Sequence, residues 1–301
     1  MRIADCGIEG NKQLMAIHFN KVTIIGVGLI GGSLAKVLKA KNLAKEIIGA
    51  GRSRQSLDLA LSLNVIDRIE QDAKTAVQDA DLVVLAAPVG IFEAITREIA
   101  PHLKKGSILT DVGSVKGSLV KRLDDLVPHS VHFVPAHPIA GKEKFGVAEA
   151  VETLFQGAKC ILTPTKKTDL KALESMKELW ALAGSNVIVM DPDTHDRVFA
   201  AVSHMPHVAA YAMMNAVAGL NTGSEDYTKF SGAGFRDFTR IAASSPEIWK
   251  DICVLNRDNI VEMLDRYQAA LGELRKELLA KDSAKLEEHL KTASAARRGL
   301  G

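Results

Sequence analysis

Residues 21–34, KVTIIGVGLIGGSL, decide how this chain folds. Val22, Thr23, Ile24 and Ile25 form a short, β-branched and mostly apolar run, the composition of a strand buried in a parallel sheet. The run breaks into Gly26-Val27-Gly28-Leu29-Ile30-Gly31, a G-x-G-x-x-G, and residues 33–40 then read as a helix. In that setting each glycine has a physical task. The first permits a tight turn, the second lets a pyrophosphate reach the backbone, and the third brings helix and strand into close contact. N–H groups at the helix start, with the helix dipole behind them, favour a phosphate. The strand before the motif and the helix after it separate this reading from a glycine-rich turn without a ligand. Gly26, Gly28, Leu29, Ile30 and Gly31 are therefore candidate cofactor-binding positions.

Outward from this unit, strand-like runs at 46–51, 80–87, 107–112, 131–135, 160–163 and 187–190 alternate with helical patterns at 55–63, 91–99, 115–126 and 169–183. Such alternation predicts an α/β fold with an N-terminal Rossmann domain, a doubly wound parallel sheet reaching to about residue 190. Beyond Asp193 no strand is evident. Asp193 is placed to cap a helix entered at Thr194, Pro206 to restart or kink it, and Ser245-Pro246-Glu247 to begin another. That last helix is predicted to run to about Lys281, with Ile252, Leu255, Ile260, Met263, Leu264, Tyr267, Leu271, Leu274 and Leu278 along one side. So long an apolar stripe fits a subunit interface, or a helix laid across the chain's own sheet. The expected organisation is an N-terminal extension at 1–20 with Met15 as an alternative start, a dinucleotide-binding domain at 21–190, and a helical substrate and dimerisation domain at 191–301.

A chain of 301 residues can bury two cores, and a net charge of +2 without a dense basic run gives no reason to expect nucleic acid. Cys6, Cys160 and Cys253 are widely spaced with no C-x-x-C, which excludes a disulfide scaffold and a cysteine zinc site and suits a reducing compartment. The most apolar stretches carry Lys36 and Lys39, or His204 and His207, so no membrane span is expected. Residues 1–20 lack a secretory signal's apolar core. The expected location is the cytoplasm.

In an open α/β sheet, ligands lie beyond the carboxyl ends of the strands. The second strand ends in Gly51 where an NAD-binding chain usually carries a carboxylate, and Arg52, Ser53 and Arg54 follow. Two guanidinium groups suit a 2′-phosphate, so the cofactor is NAD or NADP with a lean to NADP; two solvated arginines are the alternative. Pro88 ends the next strand beside the same ligand path. Ser114, at the turn after the 107–112 strand, is placed either to cap a helix or to meet a ligand. His137 follows the 131–135 strand, where a histidine is either structural or a general base facing the nicotinamide. His204 and His207, at i and i+3, share a helix face with Tyr211 and Asn215; no third ligand accompanies them, so no metal site is expected and a polar pocket wall is. Arg236 and Arg240, beside the glycines of 231–234, point to an anionic substrate; surface arginines in ordinary salt bridges are the alternative.

Five segments taken together resemble the prephenate/arogenate dehydrogenase family of tyrosine biosynthesis: IIGVGLIGGSLA at 24–35, DVGSVKG at 111–117, HPIAGKEKFG at 137–146, DPDTHDRVFAAVSHMPH at 191–207 and GAGFRDFTRIAASSPEIW at 232–249. The resemblance implies a homodimer with the active site between the nucleotide-binding and helical domains. It implies oxidative decarboxylation of prephenate to 4-hydroxyphenylpyruvate, or of arogenate to tyrosine by an arogenate or dual-specificity cyclohexadienyl enzyme. His137 would then accept the hydrogen bond and proton of the ring hydroxyl, Ser114 would hold that histidine and the cofactor in register, and Arg240 would bind the ring carboxylate. His204, His207 and Glu143 would line the side-chain end, His195 and Asp196 would help form the entrance, and Arg236 would approach from the partner subunit. A neutral His137 would make activity fall below about pH 6.5, the ordinary histidine pKa. Lys142, where relatives often carry a small hydroxyl residue, and Gly51 depart from the family's pattern. A hydroxy-acid or imine reductase and a non-catalytic dinucleotide sensor are the competing classes; the H-P-I-A-G and F-R-D-F-T-R blocks speak against the first, and the polar strand ends against the second.

Overall fold

The computed structural model describes residues 17–141, 144–222 and 225–300. The decisive stretch forms a strand, β1 (Phe19–Ile25), that turns directly into helix α1 (Leu29–Ala40). The helix starts inside the glycine motif, earlier than its apolar pattern suggests, because Gly28 takes the N-cap position. The chain continues through β2 (Ala44–Ala50), α2 (Arg54–Ser62), β3 (Arg68–Ile69), α3 (Ala73–Val77), β4 (Leu82–Leu85), α4 (Phe92–Ile99), β5 (Ile108–Asp111), α5 (Gly117–Leu126) and β6 (His132–Val134). The six strands form one parallel sheet in the order β3-β2-β1-β4-β5-β6. The order reverses between β1 and β4, and there a crevice must open at the strand ends. Register makes those ends level, since Ile25 lies opposite both Ala50 and Leu85.

Both faces of the sheet are covered, which explains the unbroken apolar strands. Val22 and Ile24 join the core that contains Leu34, Leu38 and Trp180; Ile25 joins the other, with Val83, Leu85 and Phe92. Thr23 is buried in β1, and its hydroxyl donates to the Ala76 carbonyl at 2.7 Å.

The parallel sheet ends sooner than the alternation predicts. The segments at 160–163 and 187–190 belong to a separate three-stranded sheet: β7 (Ala136–Pro138), β8 (Lys159–Leu162) and, after α6 (Leu170–Leu182), β9 (Asn186–Val189). β7 runs antiparallel to β8, and β8 parallel to β9. Pro135 explains the transfer. It has no N–H to continue the ladder with β5, while its carbonyl accepts from Thr163 at 3.0 Å and starts the pairing with β8. His137 therefore sits within a strand rather than in a loop beyond one.

No strand follows β9 among the described residues. The helices are α7 (Pro192–Phe199), α8 (Met205–Ala218), α9 (Ala233–Thr239), α10 (Pro246–Leu255), α11 (Arg257–Ala280) and α12 (Ser283–Arg298). Asp191, not Asp193, caps α7, accepting from the Thr194 N–H at 2.9 Å, and Pro192 fills the first helical position. Between α7 and α8, residues Ala200–His204 form a π-turn. Pro206 lacks the N–H that an α-helix would direct at the carbonyl four residues back, and the wider turn absorbs that mismatch.

The single helix expected from Pro246 to Lys281 is two, broken at Asn256 (φ −109°, ψ 28°), whose side chain turns inward to bond the Asp196 carbonyl. α11 stops where Lys281 adopts a left-handed conformation (φ 52°), and the sequence reading missed α12. Ile252 and Ile260 of the apolar stripe are buried, but Leu271 and Leu278 are exposed, so the far half of α11 does not lie across the chain's own sheet. No described helix is long and apolar enough to cross a membrane.

Candidate active site

The three glycine tasks are visible at the crevice. Gly26 has φ +100°, and a Cβ there would fall 2.6 Å from the Ala86 backbone. A Cβ on Gly31 would come within 2.5 Å of the Gly26 carbonyl oxygen and 2.9 Å of Ile24. At Gly28 a Cβ would meet nothing within 4 Å, which leaves the backbone approachable. No side chain caps α1 and no acidic residue occupies its first turn, so its N–H groups and dipole remain available to a phosphate. A cavity of about 330 Å³ lies here, lined by Gly26, Gly28, Gly51, Arg52, Ser53 and Pro88. A second of about 350 Å³ shares Gly28 and Pro88 with it and runs past Leu29 and Ile30 to Ser114. A third of about 440 Å³ shares Ile30 and Ser114 with the second and contains His137, His204 and Trp249. Through these shared residues the three run as one trench at the strand ends, and the open glycine backbone and uncapped helix start fit a dinucleotide.

At the near end, the two guanidinium groups after β2 part company. Arg54 pairs with Asp58 at 2.9 Å, whereas Arg52 lines the cavity and has no ion pair among the described residues. Ser53 caps α2, accepting from the Ser56 N–H at 3.2 Å.

At the far end, side chains from both halves of the chain form a buried polar array. Lys116 is fully buried; its ammonium pairs with Asp111 at the end of β5 and donates to the Gly113 carbonyl at 2.7 Å. Asp111 also accepts from the N–H groups of Gly113 (2.9 Å) and Ala136 (3.3 Å). The Lys116 N–H donates to Asp196 Oδ1 at 2.8 Å, and the same oxygen lies 2.8 Å from His195 Nδ1. His195 Nε2 is 2.8 Å from His137 Nδ1. Phe199 stacks on His195 at 4.4 Å between ring centres and lies 5.0 Å from His137.

Asn256 fixes the next histidine. Its amide nitrogen donates to the Asp196 carbonyl and lies 2.9 Å from His204 Nδ1, so Nδ1 must accept and the His204 proton sits on Nε2. That Nε2 is buried, on a ring that lines the third cavity, and makes no hydrogen bond of ordinary geometry among the described residues. The Ser114 backbone carbonyl faces this ring and favours its protonated form, though no hydrogen bond of ordinary geometry closes between them. His207 instead donates from Nδ1 to the Ser203 carbonyl at 2.9 Å and stacks on Trp249 with 3.6 Å between ring centres. The i, i+3 pair thus diverges.

Burial, foremost, keeps these imidazoles neutral. It holds His137 well below the ordinary histidine value, with His195, Lys116 and His204 adding repulsion. It lowers His195 against the opposing Asp196 carboxylate, and it lowers His204 to about 4. His207 is lowered by burial and by the Arg240 charge. Burial that holds His137 below its ordinary value moves the expected acid limb of activity to below pH 6.5. Stability behaves differently. Between about pH 6.5 and about 4, the unfolded chain protonates its histidines while folded His204 does not, so the unfolded state binds more protons and stability falls with pH. His204 alone accounts for about 3 kcal/mol across that window. Thermal unfolding from pH 7 to 4.5 should show Tm falling steadily; a flat Tm refutes the buried neutral state.

Other sequence-predicted residues are distributed as follows. Ser114 does not cap α5, whose N-cap position is Lys116, and its hydroxyl makes no bond to His137, which bonds His195 instead; Ser114 lies where the second and third cavities meet. His195 and Asp196 do not form the entrance: they are 0% and 3% exposed and stand behind His137, because the buried Asp196 carboxylate is held by the Lys116 N–H. Arg240 is exposed at the end of α9, with its charge felt at His207, and His207 stacks on the Trp249 that lines the His137 cavity. Arg236 is exposed on α9. Glu143 and Lys142 lie outside the described residues. Sequence reading gave no role to Lys116, Asp111, Asn256, Phe199 or Trp249; a lysine inside DVGSVKG and an asparagine interrupting a helical stripe were the available signals.

Comparison with known proteins bears on the fold and the family. The family model for the prephenate dehydrogenase nucleotide-binding domain matches residues 34–189, and that for the prephenate dehydrogenase dimerization domain matches 191–292. The cyclohexadienyl dehydrogenase of Zymomonas mobilis is 38% identical over 283 residues, covering 94% of this chain and 96% of the relative. The prephenate dehydrogenase of Bacillus subtilis is 36% identical over 280 residues, covering 93% and 76%. Among solved structures, prephenate dehydrogenase from Aquifex aeolicus in complex with hydroxyphenyl propionate and NAD+ superposes with a TM-score of 0.90 at 36% identity, covering 95% of this chain and all of that one. Synechocystis arogenate dehydrogenase gives 0.79 at 28% identity, covering 93% and 100%. With both domains matched in order, a glycine-lined trench leading to a buried histidine array, and relatives aligned over 93% or more of this chain, this chain belongs to the prephenate dehydrogenase family.

Proposed function

We propose that this chain converts prephenate to 4-hydroxyphenylpyruvate by NAD(P)-dependent oxidative decarboxylation. The observation that carries the reading is His137: a buried neutral imidazole in the cavity that continues the dinucleotide trench, with Nδ1 engaged by His195. Its Nε2 is the acceptor suited to the substrate's ring hydroxyl. Accepting that hydrogen bond raises electron density on the carbon that loses hydride, so the interaction strengthens toward the transition state. The bound nicotinamide supplies the hydride acceptor; loss of the ring carboxylate as carbon dioxide makes the ring aromatic. His204 borders the same cavity, with its ring held between Asn256 and the Ser114 backbone carbonyl. Arg240 binds a carboxylate, and Ser114 borders both ring and cofactor.

Arg240→Gln removes a charge-assisted hydrogen bond of about 1.5–3 kcal/mol, so KM for prephenate should rise about 10–100-fold with kcat little changed. An unchanged KM removes Arg240 from the site. We assign the exposed apolar stripe of α11 to a homodimer, with Arg236 reaching the partner's site; sedimentation of the purified chain as a monomer rejects this.

The relatives' names support prephenate and also arogenate as substrates. Arg52 beside the adenine end supports NADP, although Arg54 is already paired with Asp58. Initial rates at 340 nm with both substrates crossed against NAD+ and NADP+ test the whole reading. Prephenate with NADP+ should give the highest kcat/KM. Faster turnover of arogenate reverses the substrate assignment, equal rates with the two cofactors remove the NADP preference, and no turnover in any combination favours a dinucleotide sensor.

A further inference from the structure

The Asp196–His195–His137 array has a direction of hydrogen bonding that the geometry dictates. The ionised Asp196 carboxylate only accepts, so His195 carries its proton on Nδ1, 2.8 Å away. In a neutral ring this leaves His195 Nε2 bare. His137 Nδ1 lies 2.8 Å from that bare nitrogen, so it must donate, and the neutral His137 ring then has Nε2 bare.

We propose that Asp196 and His195 are positioning residues that fix the proton of His137 on Nδ1 and so hold its Nε2 as an acceptor toward the substrate. The proposal rests on His137 being the residue that meets the ring hydroxyl.

The surroundings are built for this. Asp196 is fixed on two sides: the Lys116 N–H donates to Oδ1, and Asn256 donates to its backbone carbonyl. The carboxylate docks this closely only because residue 117 is glycine, where a Cβ would lie 2.5 Å from Asp196 Oδ2. The Lys116 ammonium is occupied by Asp111 and the Gly113 carbonyl, so it acts on the two imidazoles only as a nearby positive charge that disfavours their protonation. Phe199 packs against both rings. A carboxylate orienting an imidazole is the logic of a hydrolase triad, where the wrong tautomer costs about 10⁴-fold in kcat; here a second imidazole carries that constraint one ring further.

The test compares His195→Leu, which cannot accept, with His195→Gln, whose Oε1 can. His195→Leu should lose about 10²–10³-fold in kcat with KM for prephenate within about threefold, and His195→Gln should regain at least about tenfold of that loss. Nitrogen-15 NMR of histidine-labelled wild-type protein should show His137 Nδ1 protonated and Nε2 bare at pH 7.5; this needs no variant to fold. Wild-type kcat in His195→Leu, a glutamine variant no better than leucine, or a protonated Nε2 each overturns the proposal. His137→Asn, run in parallel, separates the two levels. Full activity there sinks the reading of the site itself, whereas an inactive His137→Asn beside a fully active His195→Leu sinks the relay alone.

Discussion

His137→Asn should lower kcat by about 10³-fold while leaving KM for prephenate within a few-fold, as measured by initial rates at saturating cofactor. An asparagine amide can still accept a hydrogen bond, but it is not a base and does not reach as far as Nε2. The loss therefore falls on the step in which the hydroxyl-bearing carbon gives up hydride, not on binding of the carboxylates. The wild-type pH profile belongs to the same prediction. With His137 held well below its ordinary value by burial and by the charges of His195, Lys116 and His204, kcat/KM should stay level through pH 6.5. A half-point at 6.5 or above would contradict the buried, neutral acceptor.

Lys116→Met should destabilise the fold by about 3–5 kcal/mol, the usual result of removing one member of a buried ion pair. Lys116 is 0% exposed, and methionine fills a similar volume but leaves the Asp111 carboxylate with only the Gly113 and Ala136 N–H groups. At about 2–4 °C per kcal/mol for a chain of this class, the expected fall in Tm is roughly 10 °C. The double variant Lys116→Met/Asp111→Asn should recover much of it, because no buried charge is then left unpaired. A single variant that melts with wild type would show that this buried pair contributes little to stability.

Much of the fold was legible because it obeys local rules. A β-branched run, three glycines at fixed spacing and a following helix allow one solution, and Gly26, Gly28 and Gly31 show the turn, the open approach and the close contact expected of them. Most strand segments were found from apolar runs, though the short β3 and β7 were not, and which sheet they joined was not legible: residues 160–163 and 187–190 read as continuing strands until Pro135 hands the chain to a second sheet. The break at Asn256 was hidden for a related reason. Its apolar neighbours keep helical spacing on both sides, and only the contact with Asp196, 60 positions away, interrupts them.

By itself, the sequence determined the nucleotide-binding unit, the helical second half and the residue types of the site, since periodicity, turn chemistry and charge are properties of neighbouring positions. Tertiary structure alone decided what those residues are to one another. It moved His195 and Asp196 from an expected entrance to the interior behind His137, matched Lys116 to Asp111, and left Arg52 at the cavity while Arg54 turned to Asp58. Burial of this array depends on groups far apart in the chain: His137 meets His195 58 positions on, and the Lys116 N–H meets Asp196 80 positions on, which no local spacing encodes.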